Sequence, residues 1–225
     1  MRKVHFALIF CMIVVSLFLN VLTEQKKYEG VRMQKERMEE SLRYAISICA
    51  QELAGVMQET ADVKRMVFRE SFFRAWHIRL GIMGNEEEQE RLNLHMPILG
   101  YLSEDGAYFL LIKEERTGGK TRLIREWTEK IPYALTGDEK ENRQILTAFW
   151  EETVSEYLTE HNRIAKQYGL EYEFYVPLFL NDPEQRLGFP IVFAVFQGWP
   201  LEGSGKYLYE NCMGANAYII PKDNP

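Results

Sequence analysis

The chain reads as an α+β protein. An N-terminal transmembrane helix continues into a long helix, followed by an antiparallel sheet of about five or six strands covered by helices. Three observations predict this. An apolar run without a charge, VHFALIFCMIVVSLFLNVL, fills residues 4–22 directly behind Met1-Arg2-Lys3. Helical spacing of apolar residues then continues, with no proline between Met1 and Ile82. From Met96 onward, short apolar runs bounded by turn residues form two groups with one long helical stretch between them.

The apolar run contains no Asp, Glu, Lys or Arg, and as a helix it reaches about 28 Å, the thickness of a bilayer core. It exceeds the apolar core of a cleaved signal peptide, and Thr23-Glu24-Gln25-Lys26-Lys27 offers no small-residue cleavage site. An uncleaved anchor is therefore expected, with Val4, Phe6, Leu8, Ile9, Phe10, Ile13, Val14, Leu17, Phe18, Leu19 and Leu22 facing lipid. Arg2 and Lys3 place the N-terminus in the cytoplasm and the main domain outside it. The expected organisation is a cytoplasmic tip and anchor over 1–23, a helical stalk over 24–61, and an extracytoplasmic α+β domain over 62–225.

Along the stalk, Tyr28, Val31, Met38, Leu42, Ala45, Cys49 and Val56 recur at steps of mostly three, four or seven. This stripe suits either a partner helix or the protein's own domain. A second helix is expected from about Asp62 to Leu80. Its Phe68, Phe72, Phe73 and Trp76 would form the lid of a sheet. Gly81 and Gly84 end it, and Asn85 caps a short acidic helix running to about Leu94.

The strand-rich half opens with Pro97–Leu102 and a return strand, Ala107–Ile112. Asp105-Gly106 lies between them, because glycine accepts the positive φ of a tight hairpin turn. A turn at Thr117-Gly118-Gly119-Lys120 leads to Thr121–Trp127. Asp138 followed by Glu141 starts a long helix that Gly169 stops. Its expected apolar face is Leu146, Phe149, Trp150, Tyr157, Ile164 and Tyr168. Further strands are expected at Glu171–Phe179, Phe189–Gln197 and Ala215–Ile220, the first two joined by the Asn181-Asp182-Pro183 loop. Short connections favour an antiparallel sheet with helices on one face.

The net charge of −6, with Lys and Arg scattered among carboxylates, excludes a nucleic-acid binder. The hydrophobic share of 46% excludes disorder. Three cysteines make no disulfide framework; Cys49 and Cys212 read as two buried thiols, with a single Cys49–Cys212 bridge as the alternative in an exported domain. His5, His77, His95 and His161 share no metal-ligand spacing. Gly203-Ser204-Gly205 is too short for a nucleophile elbow, and Gly118-Gly119-Lys120-Thr121 lacks the leading glycine of a phosphate-binding loop. No catalytic residue, cofactor site or metal site is expected.

The layout resembles two groups of anchored proteins. Anchor, long helix and the Met96–Ile112 hairpin with its Glu104-Asp105-Gly106 turn resemble the start of a Cache or PAS-like sensor domain. That resemblance implies a small-molecule pocket between sheet and helices, for which Tyr108, Trp127 and Tyr175 are the candidate aromatics. An apolar helix that continues into a stalk and carries an antiparallel sheet resembles the pilin-like proteins. Met96–Ile112 is also similar to single-span Firmicutes proteins associated with pilus or conjugation-type clusters. The expected function is a membrane-anchored, non-enzymatic structural or interaction protein, its partners being the bilayer and proteins of a membrane assembly. The alternative is a Cache-type ligand sensor.

Overall fold

A computed structural model of the chain describes residues 2–117, 119–177, 187–201 and 215–219. Helix α1 spans Arg2–Gly55, α2 Ala61–Leu80, α3 Glu86–Leu94 and α4 Glu139–Gln167. Strands β1 (Ile98–Ser103), β2 (Gly106–Thr117), β3 (Lys120–Trp127), β4 (Ile191–Val195) and β5 (Ala215–Ile219) form one sheet in the order β3-β2-β1-β4-β5. Every pairing in it is antiparallel.

The helix ends follow local chemistry. The Asn85 side chain accepts from the Glu88 N–H at 3.2 Å and starts α3. The Asp138 carboxylate accepts from the Lys140 and Glu141 N–H groups and starts α4. Each satisfies amides that a first helical turn leaves unpaired. Gly81 and Gly169 end α2 and α4 with φ of 76° and 80°, a conformation that costs glycine little.

The expectation of helices on one face is corrected: both faces of the sheet are covered. Leu99, Tyr101, Leu110, Val192 and Ala194 pack with the buried residues of α1 and α2. Their alternates Ile98, Leu102, Phe109, Ile191, Phe193 and Val195 pack against Leu146, Trp150, Val154 and Leu158 of α4. Every residue of β1 and β4 is accordingly buried. Successive side chains point to opposite faces, so a strand covered twice must be apolar throughout.

Gly100 lets the central strands close. It pairs with Phe109 on one side and Phe193 on the other, and those two rings meet with centroids 5.4 Å apart. A Cβ at Gly100 would lie 2.2 Å from the Tyr108 carbonyl oxygen and 2.8 Å from Phe193 Cζ.

The stalk does not stand apart from the domain. Leu42, Ala45, Ile46, Cys49, Ala50 and Leu53 of α1 are buried in the α2-side core. The Cys49 thiol donates to the Phe68 carbonyl at 3.4 Å, and burial raises its pKa well above the ordinary thiol value. Glu52 accepts from Ser71 and pairs with Arg74 at 3.1 Å. The N-terminal part of the same helix is bare: Phe10, Ile13, Leu17, Phe18 and Leu19 are each more than half exposed. The side chains of Val4, Phe6, Leu8 and Ile9 lie outside the described residues. Among the described residues, no helix is long and apolar enough to cross a membrane.

The strand expected at Glu171–Phe179 is a second correction, since residues 171–177 carry no strand. Their backbone is held by side-chain amides. Asn162 bonds both the N–H and the carbonyl of Phe174, at 2.8 and 2.9 Å. Gln197 does the same for Tyr175, at 3.1 and 2.9 Å. Two amides thus replace a neighbouring strand, which removes the need for sheet pairing. The segments 181–183, 203–205 and 207–212, with Cys212, fall outside the described residues.

Replacing Gly100 with alanine is expected to destabilise the protein by about 3 kcal/mol, through overpacking against a fixed backbone. Gly137→Ala, where a Cβ meets nothing within 4 Å, is expected to stay within about 0.5 kcal/mol of the parent. Chemical denaturation of the two variants checks both.

Candidate functional site

The four residues Asn93–Met96, at the junction of α3 and β1, collect hydrogen bonds from the sheet and from α4. Arg125 on β3 donates through Nη2 to the carbonyls of Asn93 at 3.1 Å and Met96 at 2.9 Å. His161 on α4 donates through Nε2 to the Leu94 carbonyl at 3.0 Å. The Gln197 N–H, just after β4, donates to the His95 carbonyl at 2.9 Å. His95 returns a bond through Nδ1 to the Gln197 carbonyl at 3.1 Å. A carbonyl only accepts, so both imidazoles carry their proton on the bonded nitrogen. Burial pulls each of them down to about 4. Both are neutral at physiological pH, which agrees with rings sealed among aromatics. His161 lies 4.6 Å from the Phe174 ring, and His95 lies 5.1 Å from that of Trp199.

Beside this junction a cleft of about 1550 Å³ opens between α2, α3 and the β2–β3 edge. Its walls carry Arg65, Arg69, Phe73 and His77 from α2, Glu87, Glu90 and Arg91 from α3, and Ile112, Leu123, Arg125 and Trp127 from the strands. Arg65 reaches Asp62 at 3.8 Å, and Arg122 pairs with Glu115 across the hairpin. Arg125 is different. Its Nε and Nη1 are sealed from solvent and make no hydrogen bond. Its guanidinium lies 5.3 Å over the Phe73 ring. Burial, with a smaller push from the cation of Arg69, pulls it down to about 9. It therefore stays charged at neutral pH, held by the carbonyls that end α3 and without a carboxylate on its free donors. His77 lines the same wall with its Nε2 buried and unbonded, and burial plus Arg125 lower its pKa.

Of the three aromatics expected around a ligand, Trp127 lines this cleft and Tyr108 and Tyr175 do not. Tyr108 stacks on Tyr101 at 4.9 Å with Arg65 above it, filling space on the sheet. Tyr175 is 47% exposed, with its backbone clasped by Gln197. The interaction stripe also divides. Leu42, Ala45 and Cys49 are buried in the protein's own core, and Val31, Met38 and Val56 pack partly against it. Tyr28 is 73% exposed. Among the described residues, no group of three His, Cys, Asp or Glu is placed to hold a metal ion. Arg125 was not among the residues the sequence singles out. The signal is its place in the strand period, on the inward face with Leu123 and Trp127.

The buried histidines set an acid limit on stability. Their folded pKa values lie below the unfolded value of about 6.5, so the unfolded chain binds more protons between pH 6.5 and 4. Their contribution is complete above pH 6.5 and is lost as pH falls toward 4. It amounts to at most about 3 kcal/mol per histidine. His161→Gln keeps an amide donor for Leu94 and removes the titration. It is expected to reduce the fall in stability across that window by about 2 kcal/mol, measured by thermal unfolding at a series of pH values.

No protein-family profile matches the chain, and no significant match was found among curated proteins or solved structures.

Proposed function

We propose that this is a membrane-anchored, non-enzymatic interaction protein, a minor component of a pilus-like, secretion or conjugation assembly. In this reading residues 4–22 lie in the bilayer with the N-terminus in the cytoplasm, and the sheet domain works on the other side. One observation carries it. From Phe10 to Leu22, α1 presents large apolar side chains around its whole circumference, and Phe10, Met12, Ile13, Val15, Leu17, Phe18, Leu19 and Val21 are each 53–63% exposed. A soluble helix hides one apolar stripe; one that is apolar all round belongs in an apolar solvent.

The partner surface follows from what the domain leaves free. From Leu42 to Leu53 the helix commits its apolar stripe to its own core and leaves only Arg43, Tyr44, Gln51 and Glu52 exposed. Before that point Tyr28 and Met33 are 73% and 69% exposed. They sit on the stretch between the apolar run and the domain, where a neighbouring helix of the assembly would lie. Arg32–Glu36 and Lys35–Glu39 ion pairs support the helix there while contributing little stability of their own.

The expected result is that the full chain stays in the membrane pellet through alkaline carbonate extraction. Val14→Arg with Leu17→Arg, each arginine opposing insertion by about 3 kcal/mol, should release it. Parent protein that carbonate strips from membranes would contradict the anchor. A photo-crosslinker at Tyr28 or Met33 should give discrete adducts in intact membranes, and monomer alone at both positions would contradict the assembly role.

A further inference from the structure

The cleft raises a question the anchor does not touch. A guanidinium whose Nε and Nη1 are sealed and unbonded sits in its wall, beside a second arginine and an unbonded buried imidazole nitrogen. A buried cation is stable when it is paired and hydrogen-bonded, and Arg125 has carbonyls on one nitrogen only. Arg69 is exposed on α2, lines the cleft and makes no ion pair among the described residues. Both arginines therefore lack an anion, and they face the same space.

We propose that the cleft binds a monocarboxylate with an apolar body, its carboxylate taken by Arg125 and Arg69 and its body laid on Phe73 and Trp127. The charge pattern selects this class. Glu87 and Glu90 line the α3 wall, and such carboxylates repel a phosphate dianion more than a single negative charge. Phe73 is half-buried and covers the Arg125 guanidinium. The incoming carboxylate takes the place of the ring over the cation, and the ring moves onto the apolar body of the ligand. A charge-assisted bond then replaces the cation–π contact and satisfies donors that are otherwise idle. The cleft sets the apolar surfaces of Phe73 and Trp127 beside the convergent cations Arg69 and Arg125, the pairing of apolar body and fixed polar groups that a small-ligand site needs.

The test uses the full chain in lipid nanodiscs with phenylacetate as the probe, followed by ligand-observed NMR and by tryptophan fluorescence. Saturable binding is expected below about 10 mM, with the uncharged 2-phenylacetamide at least about tenfold weaker. Arg69→Gln, an exposed change that leaves the α3 contacts alone, is expected to weaken phenylacetate about fivefold. Phe73→Ala, which uncovers the guanidinium, is the second variant and should not abolish binding. No saturable binding of phenylacetate, equal binding of the amide, or an unchanged affinity in Arg69→Gln would each overturn the proposal. Inorganic phosphate binding more tightly than phenylacetate would overturn it as well.

Discussion

The carbonyls of four consecutive residues, Asn93 to Met96, tie α3 to the sheet and to α4. A short helix ends there, and its last carbonyls need donors. Each donor comes from a different part of the chain: Arg125 from the edge strand, His161 from the long helix on one face, and the Gln197 backbone from the segment after β4. The same Gln197 reaches across with its side chain to hold Tyr175. Loosening this junction would free α3, the end of α4 and the 171–177 segment together. The buried charge of Arg125 and the two neutral imidazoles are therefore structural before they are anything else. The charge becomes chemically interesting because only part of its hydrogen-bonding capacity is used.

The second constraint is the continuity of α1. One helix of 54 residues runs from the apolar N-terminal segment to the core of the domain. Its last turns are locked by Cys49 against Phe68 and by Glu52 against Ser71 and Arg74. No break lies between the two ends, so a force or rotation applied to the apolar segment is delivered to the α2 side of the sheet. In the reading proposed above, this makes the domain a fixed projection from the membrane, and the exposed stretch around Tyr28 and Met33 its nearest contact surface.

Local chemistry was legible in the sequence where it is short-ranged. Asn85 and Asp138 cap the helices expected of them, and the meander lies where the turn residues put it, but the first hairpin turns through Glu104-Asp105, with Gly106 already paired to Ser103 as the first residue of β2 and without the positive φ expected of it. Two-sided coverage of the sheet was missed. Its only trace is the lack of a polar alternate in ILGYLS before Ser103 and in IVFAV, a pattern that strands covered on both faces share with a one-faced strand in a rich core. The 171–177 segment was missed because Asn162 and Gln197, distant in sequence, supply the bonds that a strand would have supplied. Arg125 was missed because an arginine in an edge strand ordinarily reads as surface. Only its phase with Leu123 and Trp127 betrays it.

The junction is tested most directly by following the His95 and His161 side-chain nitrogens by NMR through a pH titration of the folded protein. Both rings should remain neutral at pH 5.5, with the proton on Nδ1 of His95 and on Nε2 of His161, and neither should charge until the pH approaches 4. Ordinary titration near pH 6.5 with the fold intact, or the opposite tautomers, would contradict the account of how the layers are joined.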